Sequence, residues 1–214
     1  SELIERHLGL YIHPKRYSEL HKAMLNASTK RHFPSIELYS RHLLQHEEWG
    51  QEDIDALASG LTVCETYFNR HPDSFIDLQN IVLPEVINRK QHTDKCLRLW
   101  SAACSTGEEP YSLALALKEK LFDISSWNII ISASDINPRV IEQAKKAVYA
   151  DRSFREVTGT FRERYFSYYQ ERQWQLKVTY RGMVDFYCEN LLDDIGLDCS
   201  HHSALHDIIY CRNV

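Results

Sequence analysis

The chain of 214 residues contains no apolar run approaching the roughly 18 residues that a membrane-spanning helix needs. Its first residues lack the basic, apolar and small-residue order of a secretory leader. Six cysteines, at positions 64, 96, 104, 188, 199 and 211, form no C-x-x-C pair and sit mostly in apolar runs. That pattern argues against a disulfide framework and fits a reduced, cytoplasmic protein. Glycine is scarce, seven residues in all, and never spaced as G-x-G-x-x-G, so the usual dinucleotide-binding loop is missing. Neither charge dominates: 25 basic and 30 acidic side chains leave a net of -5, which disfavours a nonspecific polyanion binder. No internal repeat or low-complexity tract interrupts the chain. What is present is 43% hydrophobic and 26% charged, the composition of a soluble globular protein with a core of its own.

Residues 1–70 read as a small helical domain. Pro14 suits a first helical turn, where its missing N–H costs nothing. After it Tyr17, Leu20, Met24, Leu25 and Ser28 recur at helical spacing as one mostly apolar stripe. A second helix is predicted after Pro34 and Ser35, with Ile36, Tyr39, Leu43 and Leu44. A third, after Gly50, carries Ile54, Leu57, Ala58 and Leu61. Residues 1–46 hold seven Lys or Arg against four Glu, and 13–32 concentrate Lys15, Arg16, Lys22, Lys30 and Arg31 with three histidines. This is either a solvated face or a docking surface for an acidic protein partner. DNA fits poorly, since a recognition motif and stacking aromatics are both lacking.

A linking segment, 71–96, carries a helix from Pro72 or Asp73 to about Asn88, which Pro84 kinks or shortens. From residue 97 the pattern becomes strand, helix, strand, helix. Leu97–Ala103 is a strand, 104–109 a turn, and Pro110 opens a helix. Ile129, Ile130 and Ile131 lie in a buried strand that ends at Asp135, and Asn137 with Pro138 starts the next helix. The fold class predicted is α/β, a doubly wound, mostly parallel sheet over 97–214 preceded by the helical domain. Residues 161–169 read as a short helix. The segments 174–180 and 183–188 read as an antiparallel pair, a small insertion, or as successive extended pieces. Asp207–Cys211 looks like a further core strand.

Ligands of such sheets bind past the carboxyl ends of the strands. Here those ends carry Ala103–Glu109, Asp135 and Arg212. An acid ending the second strand is placed to accept bonds from a ribose diol. Two glutamates at the next helix start would repel pyrophosphate and would suit a cationic amine. Ribose, adenine and an ammonium without phosphate describe S-adenosylmethionine. Glutamate at a helix start is also ordinary capping, and from the residues alone both readings stand.

The run Trp100-Ser-Ala-Ala-Cys-Ser-Thr-Gly-Glu-Glu-Pro-Tyr-Ser112 resembles the signature loop of the chemotaxis receptor methyltransferases. Leu61-Thr62 with Thr66-Tyr67-Phe68-Asn69-Arg70 resembles that family's Thr-x-Phe-Phe-Arg segment. Ala133–Asn137, Glu189–Leu192 and Cys211–Val214 look like its later motifs, in the family's order. The resemblance implies methyl transfer from S-adenosylmethionine to glutamate side chains of the cytoplasmic part of membrane chemoreceptors. The products would be a glutamyl methyl ester and S-adenosylhomocysteine. By the same resemblance Ala103 and Glu109 line the cofactor's methionine end, Asp135 holds the ribose, and Asn190 and Leu191 lie near the adenine. Thr66 and Arg70 reach into the site, and Arg212 closes it. Arg70 is the expected positioning group for the acceptor carboxylate, with Tyr67 as an assistant or a packing residue.

Two positions depart from the family pattern: Asn69 stands where a second Phe is usual, and Cys64 where Asn is common. The family also continues beyond the position of Val214, so a fragment of a longer protein is expected. Two alternatives remain open at this point. One is a methyltransferase of this fold acting on another signalling protein; the other is a cofactor-binding module without catalysis. Asp198, Cys199, His201, His202, His206 and Cys211 fit no standard zinc spacing and read as a polar loop. No metal is expected. Cys104 reads as a small core residue rather than a nucleophile.

Overall fold

The computed structural model describes residues 1–121, 123–193 and 205–213. The chain divides into two compact units. The first comprises Ser1–Val63, Ile136–Arg139 and 188–193; the second comprises Cys64–Asp135, Val140–Tyr187 and the described residues from 205 onward.

The first unit is helical. Helix α1, Glu2–Leu8, stops at Gly9, whose φ of 69° places it in the left-handed region. A single 3-10 turn at Pro14–Arg16 leads into α2, Tyr17–Lys30; α3 is Ile36–Gln45 and α4 is Gln51–Leu61. Ser35 caps α3 by accepting the Leu38 N–H at 3.3 Å. The buried face of α2 overlaps the predicted stripe in part: Ser28 is buried and Leu20 and Met24 pack against the helical core, but Tyr17 and Leu25 are exposed, and Ala23 and Ala27 are buried instead. Close approach explains this: a Cβ on Gly60 of α4 would stand 2.8 Å from the Ala23 Cβ, so only small residues fit between α2 and α4. One carboxylate ties three helices together. The buried Asp53 accepts from Arg31 Nε at 2.9 Å and lies 3.2 Å from His42 Nε2.

In the second unit one helical run crosses three geometries: α5, Pro72–Asp77, a π turn at Leu78–Val82, and α6, Leu83–Lys90. Pro84 sits in the first turn of α6. The wider turn before it accommodates a residue that lacks an N–H and crowds the preceding carbonyl. Strand β1, Cys96–Ala102, is followed by α7, Glu108–Lys120, and then by β2, Asn128–Asp135. β1 and β2 pair in parallel from Cys96↔Asn128 to Ala102↔Ser134. Asn137 caps α8, Pro138–Lys146, accepting the Arg139 N–H at 3.0 Å.

The next stretch forms a separate antiparallel sheet of β3, Val148–Ala150, β4, Phe166–Gln170, and β5, Gln173–Leu176, in the order β3-β5-β4. The helix predicted over 161–169 is therefore shorter. As α9 it spans Gly159–Tyr165, capped by Thr158, and the chain continues directly as β4. β4 and β5 are joined through Glu171 and Arg172, both with positive φ, 41° and 64°. That is the backbone of a tight two-residue hairpin made without the Asn-Gly or Asp-Gly that signals one in sequence. The segments 174–180 and 183–188 do not pair with each other. Residues 178–181 form a helical turn, α10, and β6, Val184–Cys188, joins the first sheet beside β2.

Strand β7, Ile208–Cys211, pairs in parallel with β1 from Leu99↔Ile208 to Ala102↔Cys211, giving the order β6-β2-β1-β7. Its register is pinned by Asp207. The backbone N–H of Asp207 donates to the Arg98 carbonyl at 2.8 Å, and its carboxylate accepts the Arg98 N–H at 2.9 Å and Lys90 Nζ at 2.8 Å. β1 thus has a parallel neighbour on each side, and the crevice at its carboxyl end is where such sheets bind ligands. No helix among the described residues is long and apolar enough to cross a membrane.

The turn from β1 into α7 is tight. Ala103, Ser105 and Gly107 all have positive φ, 55°, 51° and 92°. A Cβ on Gly107 would lie 2.8 Å from the Ala144 Cβ and 3.1 Å from the Tyr149 hydroxyl. Beside it Glu108 is buried, accepting from Thr106 Oγ1 at 2.6 Å and Ser153 Oγ at 2.9 Å. This carboxyl fastens the start of α7 to the segment after β3.

Gly107→Ala should cost at least about 2 kcal/mol, because backbone strain and overpacking each contribute. Urea denaturation at neutral pH measures it, and an unchanged midpoint would show that the turn relaxes freely. Burial raises the Glu108 pKa above its ordinary 4.5. An acid whose folded pKa is raised contributes most below its unfolded pKa and loses that contribution as pH rises. The stability of the wild type relative to Glu108→Gln should therefore fall as the pH rises above the ordinary carboxyl pKa of 4.5. A pH-independent difference between the two denaturation series would contradict the raised value.

Candidate functional site

At the end of β2, Asp135 accepts the Ser105 backbone N–H at 2.8 Å through Oδ2. Cys104 N–H donates to the Ser134 carbonyl at 2.9 Å, so the loop after β1 is laced to the end of β2 by two bonds. The left-handed backbone at Ala103 and Ser105 turns the Ser105 N–H onto the acid. Asp135 is 9% exposed, a carboxylate at the mouth of the crevice held by a backbone donor.

Glu109, on the first turn of α7, accepts Ser101 Oγ at 2.8 Å on Oε1. Its Oε2 takes Arg212 Nε at 2.9 Å and Nη2 at 2.7 Å. The side chains are 13% and 20% exposed. Removing one partner of such a pair strands the other and costs about 3–5 kcal/mol when burial is deep. Arg212 also donates through Nη1 to Ser74 Oγ at 2.7 Å and to the Arg70 carbonyl at 3.1 Å. Its guanidinium lies 5.0 Å from the Tyr210 ring centre and 5.4 Å from that of Phe75. Every arm of this arginine is engaged with the protein, so it acts as a clamp.

The segment Thr66–Arg70 is held in three places. Phe68 is fully buried among Tyr149, Phe154 and Phe166, with ring centres 4.9, 5.3 and 4.9 Å away. Its N–H donates to the Ser153 carbonyl at 2.9 Å, and the Asn69 N–H donates to Ser112 Oγ at 3.1 Å. Asn69 has a φ of 55°, a conformation asparagine tolerates better than a phenylalanine would. Arg70 Nη1 donates to the Glu65 carbonyl at 2.6 Å, and Arg70 makes no ion pair among the described residues. Thr66, Tyr67 and Arg70 are all partly exposed.

Thr66, Tyr67, Arg70, Ala103, Glu109, Asp135 and Arg212 all belong to the second unit, and Arg212 joins Glu109 to the Arg70 carbonyl. Asn190 and Leu191 belong to the first unit. Asn190 Nδ2 donates to the His7 carbonyl at 2.7 Å, and its Oδ1 accepts the Leu192 N–H at 3.1 Å. The basic segment 13–32 is uneven in its availability. Lys15, Lys22 and Lys30 are exposed, whereas Arg16 pairs with Glu19 at 2.8 Å and Arg31 is engaged by Asp53 and Glu52. Asp198, Cys199, His201 and His202 lie outside the described residues. Among the described residues no cluster of three metal-ligating side chains occurs. Burial raises the Cys104 thiol well above its usual pKa, which leaves it an inert thiol rather than a nucleophile.

The charge of the crevice tests the expected cofactor. Glu109 lies on the first turn of α7 and Asp135 ends β2, and the guanidinium of Arg212 is spent on Glu109. A pyrophosphate would meet a carboxylate wall, while a ribose diol and an ammonium group would find acceptors. The donor set thus fits S-adenosylmethionine. Ser101 and the Ser105 N–H, both within the Trp100–Ser112 run, complete this arrangement with Ser74, which carries no signal in the sequence because its partner Arg212 is distant in the chain.

The comparisons with known proteins agree with this geometry. The chain is 38% identical over 162 residues to the probable biofilm formation methyltransferase WspC of Pseudomonas aeruginosa, covering 76% of this chain and 36% of that one. It is 29% identical over 199 residues to chemotaxis protein methyltransferase 2 of Vibrio cholerae, covering 87% and 67%. It is 26% identical over 215 residues to the chemotaxis protein methyltransferase of Listeria monocytogenes, covering 100% and 75%. The chain thus spans from about a third to three quarters of the length of these relatives. The family described as CheR methyltransferase, SAM binding domain, matches residues 64–214, beginning where the second compact unit begins. With the crevice, its two acids and the clamped Thr66–Arg70 segment all inside that match, the chain belongs to the CheR methyltransferase SAM-binding family.

Proposed function

We propose that the protein transfers a methyl group from S-adenosylmethionine to glutamate side chains in the cytoplasmic domains of chemoreceptors. The observation that carries this reading is the clamp of Arg212, which holds Glu109 and the carbonyl of Arg70 at once. The reading it supports makes Glu109 the acid for the cofactor's ammonium and Arg70 the group for the acceptor. The protein would work in the cytoplasm, with the exposed lysines of segment 13–32 steering an acidic receptor surface.

Asp135 accepts the ribose hydroxyls, and Ala103 and Glu109 line the methionine end. Thr66 borders the reacting end. Bound there, S-adenosylmethionine supplies a methyl group already activated on a sulfonium sulfur. A glutamate acceptor is ionised near neutral pH and is itself the nucleophile, so no side chain of the protein has to remove a proton. The work left to the protein is positioning. Arg70 orients the carboxylate, and its present bond to the Glu65 carbonyl leaves the other guanidinium nitrogens for that task. Tyr67 flanks it, with the Arg70 guanidinium 5.8 Å from its ring centre.

The likeness to WspC, whose name refers to biofilm formation, favours a second reading in which the same chemistry serves a receptor outside chemotaxis. Mass spectrometry of labelled membrane partners separates the two.

Asp135→Ala should weaken S-adenosylhomocysteine binding by about 10- to 100-fold, the worth of bonds to a charged acceptor. Unchanged affinity by calorimetry would defeat the ribose assignment. Arg70→Ala in the complete protein should lower transfer of tritiated methyl to receptor membranes by at least about 100-fold, while cofactor affinity changes little. Base-labile label forming at the wild-type rate would remove Arg70 from the mechanism.

A further inference from the structure

Two guanidiniums lie near the Tyr67 ring, 5.8 and 3.7 Å from its centre. Arg70, on its own segment, is the expected one. The other is Arg155, from the loop that follows the 3-10 turn Asp151–Phe154, whose guanidinium carbon is 3.7 Å from the Tyr67 ring centre. Arg155 Nη2 also donates to Glu65 Oε1 at 2.9 Å. The two loops are fixed to one another independently of that arginine, by the Phe68 N–H bond to the Ser153 carbonyl and the stacking of Phe68 on Phe154. Arg155 is therefore delivered to Tyr67 by the core rather than by its ion pair.

The local charges do not balance. Two guanidiniums, Arg70 and Arg155, lie near one ring, and among the described residues the carboxylate paired with them is that of Glu65, on Arg155. Glu65 is also the most exposed member, at 67% of its side chain against 38% for Arg155. Exposed ion pairs contribute little to stability and exchange partners readily. A guanidinium stacked on an aromatic face keeps its in-plane N–H groups for a carboxylate.

We propose that Arg155 is an acceptor-binding residue, and that Arg70 and Arg155 together receive the substrate glutamate across the face of Tyr67. Glu65 neutralises Arg155 until the incoming carboxylate displaces it. This inference rests on the methyl-transfer reading of the site. It adds a residue from a distant stretch of the chain that no motif singles out.

The test uses the complete protein, tritiated S-adenosylmethionine and a purified chemoreceptor cytoplasmic fragment. Arg155→Ala should raise KM for the fragment by about ten-fold or more, as loss of a charge-assisted bond implies. Affinity for S-adenosylhomocysteine and the melting temperature should stay near the wild-type values. Arg155→Lys should recover only part of the loss, since lysine keeps the charge without the planar fork. Glu65→Gln should lower KM, because it removes the competing carboxylate. An unchanged KM in Arg155→Ala, or a loss confined to cofactor affinity and melting temperature, overturns the inference while leaving methyl transfer intact. A wild-type protein that binds S-adenosylhomocysteine yet esterifies no glutamate overturns the methyl-transfer reading, and this inference with it.

Discussion

The bidentate pair between Glu109 and Arg212 is the constraint on which the site depends. It joins the first turn of α7 to the residue that follows β7, and Arg212 passes the restraint on to Ser74 and the Arg70 carbonyl. Three pieces far apart in sequence are thereby fixed around one crevice. A weaker, exposed pair could not do this, because solvent and side-chain entropy would offset most of its attraction. Partial burial and the two flanking rings, Phe75 and Tyr210, make the geometry definite.

The acids at the strand ends have separate duties. Glu108 points into the core toward Thr106 and Ser153 and serves the fold. Glu109 faces Ser101 and Arg212. Asp135 is positioned by a backbone N–H that exists only because the preceding turn adopts left-handed conformations at non-glycine residues. Such conformations cost energy and persist where surrounding contacts over-determine them, as the bonds to Ser134 and Asp135 do here.

The antiparallel sheet supports the same site from another direction. Its aromatic residues surround Phe68, which anchors the segment carrying Tyr67 and Arg70. The loop that leaves β3 supplies the Ser153 carbonyl, the Glu108 contact and Arg155 within three residues. Packing, helix attachment and the charge beside Tyr67 are thus coupled through one short stretch of chain.

Much of this was legible in the residues. Helix starts at Ser35 and Asn137, the buried strand of Ile129–Ile131, and the loop from Trp100 to Ser112 are local signals, written within a few positions by capping, periodicity and turn chemistry. The motifs placed Thr66, Arg70, Ala103, Glu109, Asp135 and Arg212 in one list, though not in contact with one another. What the sequence left undecided was everything that depends on which distant segments meet. The stripe of α2 places Leu20, Met24 and Ser28 correctly but omits Ala23 and Ala27, and Ala23 is buried because Gly60 on another helix demands a small partner. The hairpin at Glu171–Arg172 carried no turn signature, so β4 was taken for helix. Neighbouring positions on a helix point about 100° apart, so Glu108 and Glu109 look alike in sequence yet face different surroundings. Local chemistry determined the elements and the candidate residues. Only the packed sheet decided which carboxylate meets Arg212, which is buried beside Ser153, and which arginine lies over Tyr67, because those pairings are made by chain segments that no short window contains.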